Sequence, residues 1–439
     1  MLTKIKTNKR LLYLYWVKVV FSLKKLNLKY KILLFLFFLG FAKSIQAQVV
    51  IGLDILNGQK SYEVPFELIQ GHIIVEVQFG GILPLKFIFD SGAQHTVLFE
   101  SDYATILGYR PERQIPIMGA DMSGELMAGI YRNVKMKLGP TKMVSRDIIV
   151  LQENFLKLEN LLGVNVVGMV GSDYFRNLIV KIDYEKYKIT LYDVRNVPES
   201  KLVQGYTLSS STFADGKVYV LADVKINDTS QRLKFLLDTG ASLPLLINTG
   251  TNADLKVPEK SFSTILGYGL SGPVMGYLGK INSLENEVFD LKNLVSYFQD
   301  DEYTIIGNAK DVRNGLIGNL TLSKYHIIIN YFNQKLYLKP NKFYKKPTKF
   351  DLSGLNIQAY GKNFNQFVIK AMIENGPGER AGFEIDDEIV KIGRWSAWRF
   401  TLSQITERLS QKEGKIIKIK VRRNGKVIPL TLRLENYLK

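Results

Sequence analysis

Two short segments have the residue types and spacing to do chemistry. Phe87-Ile88-Phe89-Asp90-Ser91-Gly92-Ala93 and Phe235-Leu236-Leu237-Asp238-Thr239-Gly240-Ala241 each set one carboxylate between an apolar run and a glycine turn, 148 residues apart. Such runs predict buried strands that end at the acid and enter a tight turn. Two carboxylates brought face to face cannot both ionise cheaply. They share a proton, one acting as base toward a water and the other as acid toward a carbonyl. The hydroxyls of Ser91 and Thr239 are suited to bridging the two turns, and Gly92 and Gly240 leave backbone N–H groups accessible. Asp90 and Asp238 are therefore the candidate catalytic pair, with these four residues supporting them.

Other chemistries find no support in the composition. With no cysteine, the chain has no disulfide, thiolate nucleophile or cysteine zinc site. The three histidines, His72, His95 and His326, never fall at the i, i+4 spacing of a helical zinc site, so neither metal nor cofactor is expected. His95 lies close after Asp90 and is expected to pack against the lobe or line its cleft rather than act as a base.

The elements that would position the acids occur twice. Ile117-Met118-Gly119 with Ser123-Gly124 returns as Ile265-Leu266-Gly267 with Ser271-Gly272, again at an offset of 148. Gly168-Met169-Val170-Gly171 returns as Gly315-Leu316-Ile317-Gly318 at an offset of 147. Each copy closes on an alternating strand, Lys188 to Tyr192 and Lys335 to Leu338, so both read as β-rich. Arg195 to Gln204 and Pro340 to Phe350 read as linkers. Beyond Asp351 the pattern changes. Phe367 to Met372 is extended, Leu402 to Leu409 is an amphipathic helix, and Asn424-Gly425 turns one strand into the next.

These motifs resemble the pepsin and retropepsin aspartic peptidases: hydrophobic-hydrophobic-Asp-Ser/Thr-Gly-Ala, a glycine-rich flap, then hydrophobic-hydrophobic-Gly before a strand, here Leu316-Ile317-Gly318-Asn319-Leu320. The resemblance implies a mainly β protein with two retropepsin-like, double-ψ β-barrel lobes related by duplication, residues 48–195 and 206–340. It maps Asp90 and Asp238 onto the catalytic pair and implies flaps at Gly119, Ser123 and Gly124 and at Gly267, Ser271 and Gly272. Residues 351–437 resemble a bacterial PDZ domain, a small α+β barrel, through Val368 to Met372, Gly376 to Phe383 and Asp387 to Ile392. That resemblance implies a peptide-binding loop at Leu355, Asn356 and Ile357, although Asn356 stands where a second glycine is usual.

The net charge of +18 suggests nucleic acid until its distribution is examined. Residues 1–47 hold ten Lys/Arg and no acid, which leaves 49 basic against 41 acidic residues elsewhere. A basic stretch, the apolar run Ile32 to Ala42 and a small residue at Ala47 read as a signal peptide, or as an N-terminal anchor if uncleaved. The expectation is an exported periplasmic or secreted aspartic endopeptidase that touches membrane only through an uncleaved leader. Its partners would be peptide or unfolded-protein substrates and a C-terminal peptide on the PDZ domain, with no nucleic acid. The alternative is a non-catalytic peptide-binding envelope protein using the same cleft and groove. Gly267 to Gly272 spells a dinucleotide-binding pattern, but Pro273, Gly276 and Gly279 oppose the helix it needs, so it reads as the second flap.

Overall fold

Both apolar runs form strands, and each is built into a closed sheet. The computed structural model describes residues 53–118, 125–269, 272–300, 313–348 and 350–439. The expected leader and the expected flap residues Gly119, Ser123, Gly124 and Ser271 lie outside the described residues.

In lobe 1, Leu83–Phe89 pairs antiparallel with His72–Phe79 and parallel with Val166–Val170, and His72–Phe79 also pairs with Glu125–Leu138 to close the sheet. Lobe 2 repeats this: Thr229–Asp238 pairs antiparallel with Lys217–Ile226 and parallel with Gly315–Gly318, and Lys217–Ile226 pairs with Gly272–Glu285. The short strands Val97–Leu98 and Leu245–Asn248 run back against the glycine-containing strands. This crossing brings backbones into contact. A Cβ on Gly171 would lie 2.5 Å from the His95 carbonyl oxygen, and one on Gly318 would lie 2.1 Å from that of Leu243.

Side-chain alternation gives each lobe two apolar layers. Phe87, Phe89, Phe235 and Leu237 enter the main core. Ile88 and Leu236, each two residues before its Asp, point the other way into separate clusters beside the turns.

A third sheet joins the lobes in the order Ser61–Pro65, Lys188–Asp193, Leu178–Asp183, Tyr325–Asn330, Lys335–Pro340 and Thr207–Ser209. At its centre strands from the two copies pair directly, from Ile179 with Asn330 to Ile182 with Ile327. The stretches expected to be linkers are held rather than free. Glu199 accepts hydrogen bonds from Asn330 and Asn333, both at 2.7 Å, and the Tyr344 hydroxyl donates to the Asp290 carbonyl at 2.9 Å. Polar composition gave no sign of these contacts, because both partners lie far away in sequence.

The C-terminal domain is a six-stranded sheet with its own core, which includes Leu355, Phe367, Ile389, Ile405 and Val421. The helix Leu402–Leu409 starts at a capping box in which Thr401 and Gln404 satisfy each other's backbone N–H groups. Asn424 and Gly425, both at positive φ, form the tight hairpin turn between Ile416–Arg423 and Lys426–Arg433.

Candidate active site

The two Asp turns meet where the lobes join, and their hydroxyls fasten them together. The Ser91 N–H donates to Thr239 Oγ1 at 3.0 Å, and the Thr239 N–H donates to Ser91 Oγ at 3.1 Å. The hydroxyl protons then continue across the interface, Ser91 Oγ to the Leu237 carbonyl at 2.8 Å and Thr239 Oγ1 to the Phe89 carbonyl at 2.9 Å. Both hydroxyls are buried, so each is fully used as donor and acceptor.

This network sets the carboxyls opposite each other. The Gly92 and Ala93 N–H groups donate to Asp90 Oδ1 at 2.7 and 3.1 Å, and those of Gly240 and Ala241 donate to Asp238 Oδ1 at 2.8 and 3.1 Å. Each carboxyl also rests on the opposite glycine. A Cβ on Gly92 would come within 2.6 Å of the Asp238 carboxyl carbon, and one on Gly240 within 2.4 Å of that of Asp90. Any larger residue would push the pair apart.

Burial and the facing Asp238 charge push Asp90 well above the usual carboxylate range, against the pull of its turn N–H groups. Burial also raises Asp238, but there the Arg313 guanidinium opposes the rise. The pair is therefore disposed to share a proton, and the Arg313 charge acts against protonation of Asp238.

In both lobes the strands flanking the expected flap residues pair antiparallel. In lobe 1, Arg113–Met118 pairs with Glu125–Leu138, and Ile117 packs on the cluster containing Ile88. In lobe 2, Phe262–Gly269 pairs with Gly272–Glu285, placing Gly267 just after a register shift and Gly272 opposite Gly269. The dinucleotide-like glycines are thus on strands. Phe262 and Leu278 of this second hairpin pack against Ile373, Tyr437 and Leu438 of the C-terminal domain. His95 Nδ1 sits 3.4 Å from the Asp173 carboxylate, half-exposed.

Leu355, Asn356 and Ile357 lie at the edge strand Leu355–Tyr360 of the C-terminal domain. The Leu355 N–H donates to Ser353 Oγ at 3.1 Å, and Leu355 and Asn356 also line a cavity of about 360 Å³ against the lobe 2 hairpin. Lobe 1 covers the side of that strand facing the helix Leu402–Leu409. Gly163, at φ +69°, fits so closely that a Cβ there would be 2.8 Å from that of Leu402 and 3.5 Å from that of Ala359. Gln70 Nε2 donates to Thr406 Oγ1 at 3.0 Å.

Motif reading assigned no role to three polar residues. Arg313 belongs to no repeat, because its lobe 1 counterpart is Val166. Asn319 joins the lobes by donating to the Gly71 carbonyl at 2.6 Å and accepting from Tyr184. Tyr331, the duplicate of Tyr184, is held neutral by burial and by the Asp90 charge. Its hydroxyl is buried without a partner among the described residues, as is that of Ser172, the duplicate of Asn319. The 147-residue offset marks both pairs and could have identified them.

Residues 75–174 and 222–319 each match the family model for aspartyl proteases. No curated protein matches the chain. Among solved structures, the aspartic proteinase from Irpex lacteus is 12% identical, with 66% of this chain and 99% of that chain covered and a TM-score of 0.37. The two family matches, one over each Asp turn, together span less than half of the chain, and with the duplicated β lobes they support an aspartic-protease-like fold and a protease.

Proposed function

We propose that the chain is an aspartic endopeptidase that hydrolyses peptide bonds with a water activated between Asp90 and Asp238. The observation that carries this reading is the contact between two turn-capped carboxyls, both raised by burial above the usual carboxylate range. Ionised Asp238 takes a proton from the attacking water. Protonated Asp90 polarises the scissile carbonyl and protonates its oxygen, and the acid and base exchange roles as the amine departs. The lobe 1 hairpin closes over the peptide and excludes water.

The same reading includes export through the basic leader, to the periplasm or beyond, and a PDZ-like C-terminal domain. Because lobe 1 lies against its edge strand and helix, that domain serves first as a brace between the lobes. It recognises a substrate or tail only when this contact opens.

The test is cleavage of a diverse peptide library between about pH 3 and 8 by the chain from residue 48 onward, with pepstatin as probe. Loss of cleavage in both Asp90→Asn and Asp238→Asn supports the shared pair. Inertness of all three proteins, with peptide binding retained, selects the non-catalytic binding protein instead.

A further inference from the structure

The duplication supplies an internal control for the walls beside the two acids. In lobe 1, Ile74 pairs with Ile88 and with Glu67. In lobe 2, Tyr219 pairs with Leu236 and with Thr212. Lys86 and Lys234 are equivalent, each four residues before its Asp. Their surroundings differ in one consistent sense.

Lys86 lies opposite Glu76 and bonds Glu67 at 2.8 Å, and the neighbouring strand contributes apolar Val166. Lys234 lies opposite Leu221, with Thr212 in the place of Glu67 and Arg313 in the place of Val166. Four matched positions thus change from a net charge of −1 in lobe 1 to +2 in lobe 2. Among the described residues no carboxylate pairs with Lys234 or Arg313.

Backbone bonds set Lys234 beside Asn314, the residue after Arg313. The Lys234 N–H donates to Asn314 Oδ1 at 2.9 Å and its carbonyl accepts from the Asn314 N–H at 2.8 Å, which places Arg313 next to it. The Lys234 ammonium lies 4.5 Å from the centre of the Tyr219 ring. Tyr219 in turn packs with Leu236, Leu316 and the Asp238-turn residues Ala241 and Leu243. A cation on an aromatic face beside the Asp238 turn retains donors for an incoming anion. The Arg313 charge also reaches Asp238 itself.

We propose that lobe 2 selects substrates carrying a carboxylate on the Asp238 side of the scissile bond, bound by Lys234 over Tyr219 and by Arg313. The inference rests on the peptidase reading above and names its substrate class. The carboxylate is either a Glu or Asp side chain or the C-terminus of a short peptide, and both offer the same group to the same donors.

The test measures fluorescence anisotropy of labelled peptides on the Asp90→Asn chain, alongside cleavage by the native chain. Amidated peptides carry Glu, Gln or Lys at each position flanking the scissile bond, and a second set ends in a free carboxylate. Glu should bind about tenfold better than Gln at one position on the Asp238 side. The preference should vanish in Lys234→Ala/Arg313→Ala and persist in Lys86→Ala. Thr212→Glu removes no side chain and restores the lobe 1 pairing, so it should reduce the preference at least threefold. Preference confined to the free-carboxylate set identifies the chain terminus as the source. Equal binding of Glu, Gln and Lys forms in both sets overturns the proposal, as does a preference that survives the double variant. Cleavage without charge preference refutes this proposal alone, and charge preference without cleavage refutes only the peptidase reading.

Discussion

Thr239→Val tests whether the crossed hydroxyls hold the lobes in register. The substitution keeps the side-chain shape and removes one oxygen, and with it the donor to the Phe89 carbonyl and the acceptor for the Ser91 N–H. Losing one hydrogen bond costs about 1 kcal/mol, and leaving a buried N–H unpaired costs roughly 1–3 kcal/mol more. The expected destabilisation is therefore roughly 2–4 kcal/mol. Ser91→Ala removes the mirror pair, the donor to the Leu237 carbonyl and the acceptor for the Thr239 N–H. If both links fasten one interface, the double variant should lose less than the sum of the singles, with a coupling of about 0.5–3 kcal/mol. Urea unfolding followed by far-UV circular dichroism measures all four corners of the cycle. Tryptophan emission is unsuitable for this because Trp395 and Trp398 report on the C-terminal domain and Trp16 lies far upstream of both Asp turns. Thr239→Ser should stay within about 1 kcal/mol of the native chain, since the hydroxyl remains. A Thr239→Val protein within about 0.5 kcal/mol of native would refute the argument that these bonds hold the interface.

Gly92→Ala and Gly240→Ala put a methyl within 2.6 and 2.4 Å of the opposing carboxyl carbon, so kcat should fall by about 10²-fold while circular dichroism still shows the native β fold. Asp90 has its pKa raised on folding, so its contribution to stability is complete below its unfolded pKa and is lost as pH rises through the folded value. Asp90→Asn should consequently be more stable than native at pH 7 and lose that advantage near pH 3, as thermal melts at the two pH values will show. Removing the cation beside Asp238 in Arg313→Gln should raise the pKa of Asp238, so the acid limb of the cleavage profile should move to higher pH. Ser172→Asn installs at lobe 1 the amide that Asn319 carries in lobe 2, giving the buried Tyr331 hydroxyl a partner. A gain of roughly 1 kcal/mol in unfolding free energy is expected.

By itself the sequence determined the duplication, the two Asp turns and their strands, because these depend on local patterns: an apolar run, an acid and a glycine repeated at a constant offset. The helix Leu402–Leu409 and the Asn424-Gly425 hairpin were legible for the same reason, since cap residues and apolar periodicity act within a few positions. Tertiary structure alone decided what crosses between distant segments. The fit of Gly163 against Leu402 and Ala359 is a contact between surfaces whose composition does not name its partner. The hold on Glu199 by Asn330 and Asn333 turned an expected linker into part of the interface between the lobes. The charge of the Asp238 wall was present in the sequence as single residues, Thr212, Leu221, Lys234 and Arg313. It took strand pairing to bring Thr212, Leu221 and Lys234 onto one face, because register sets which side chains become neighbours.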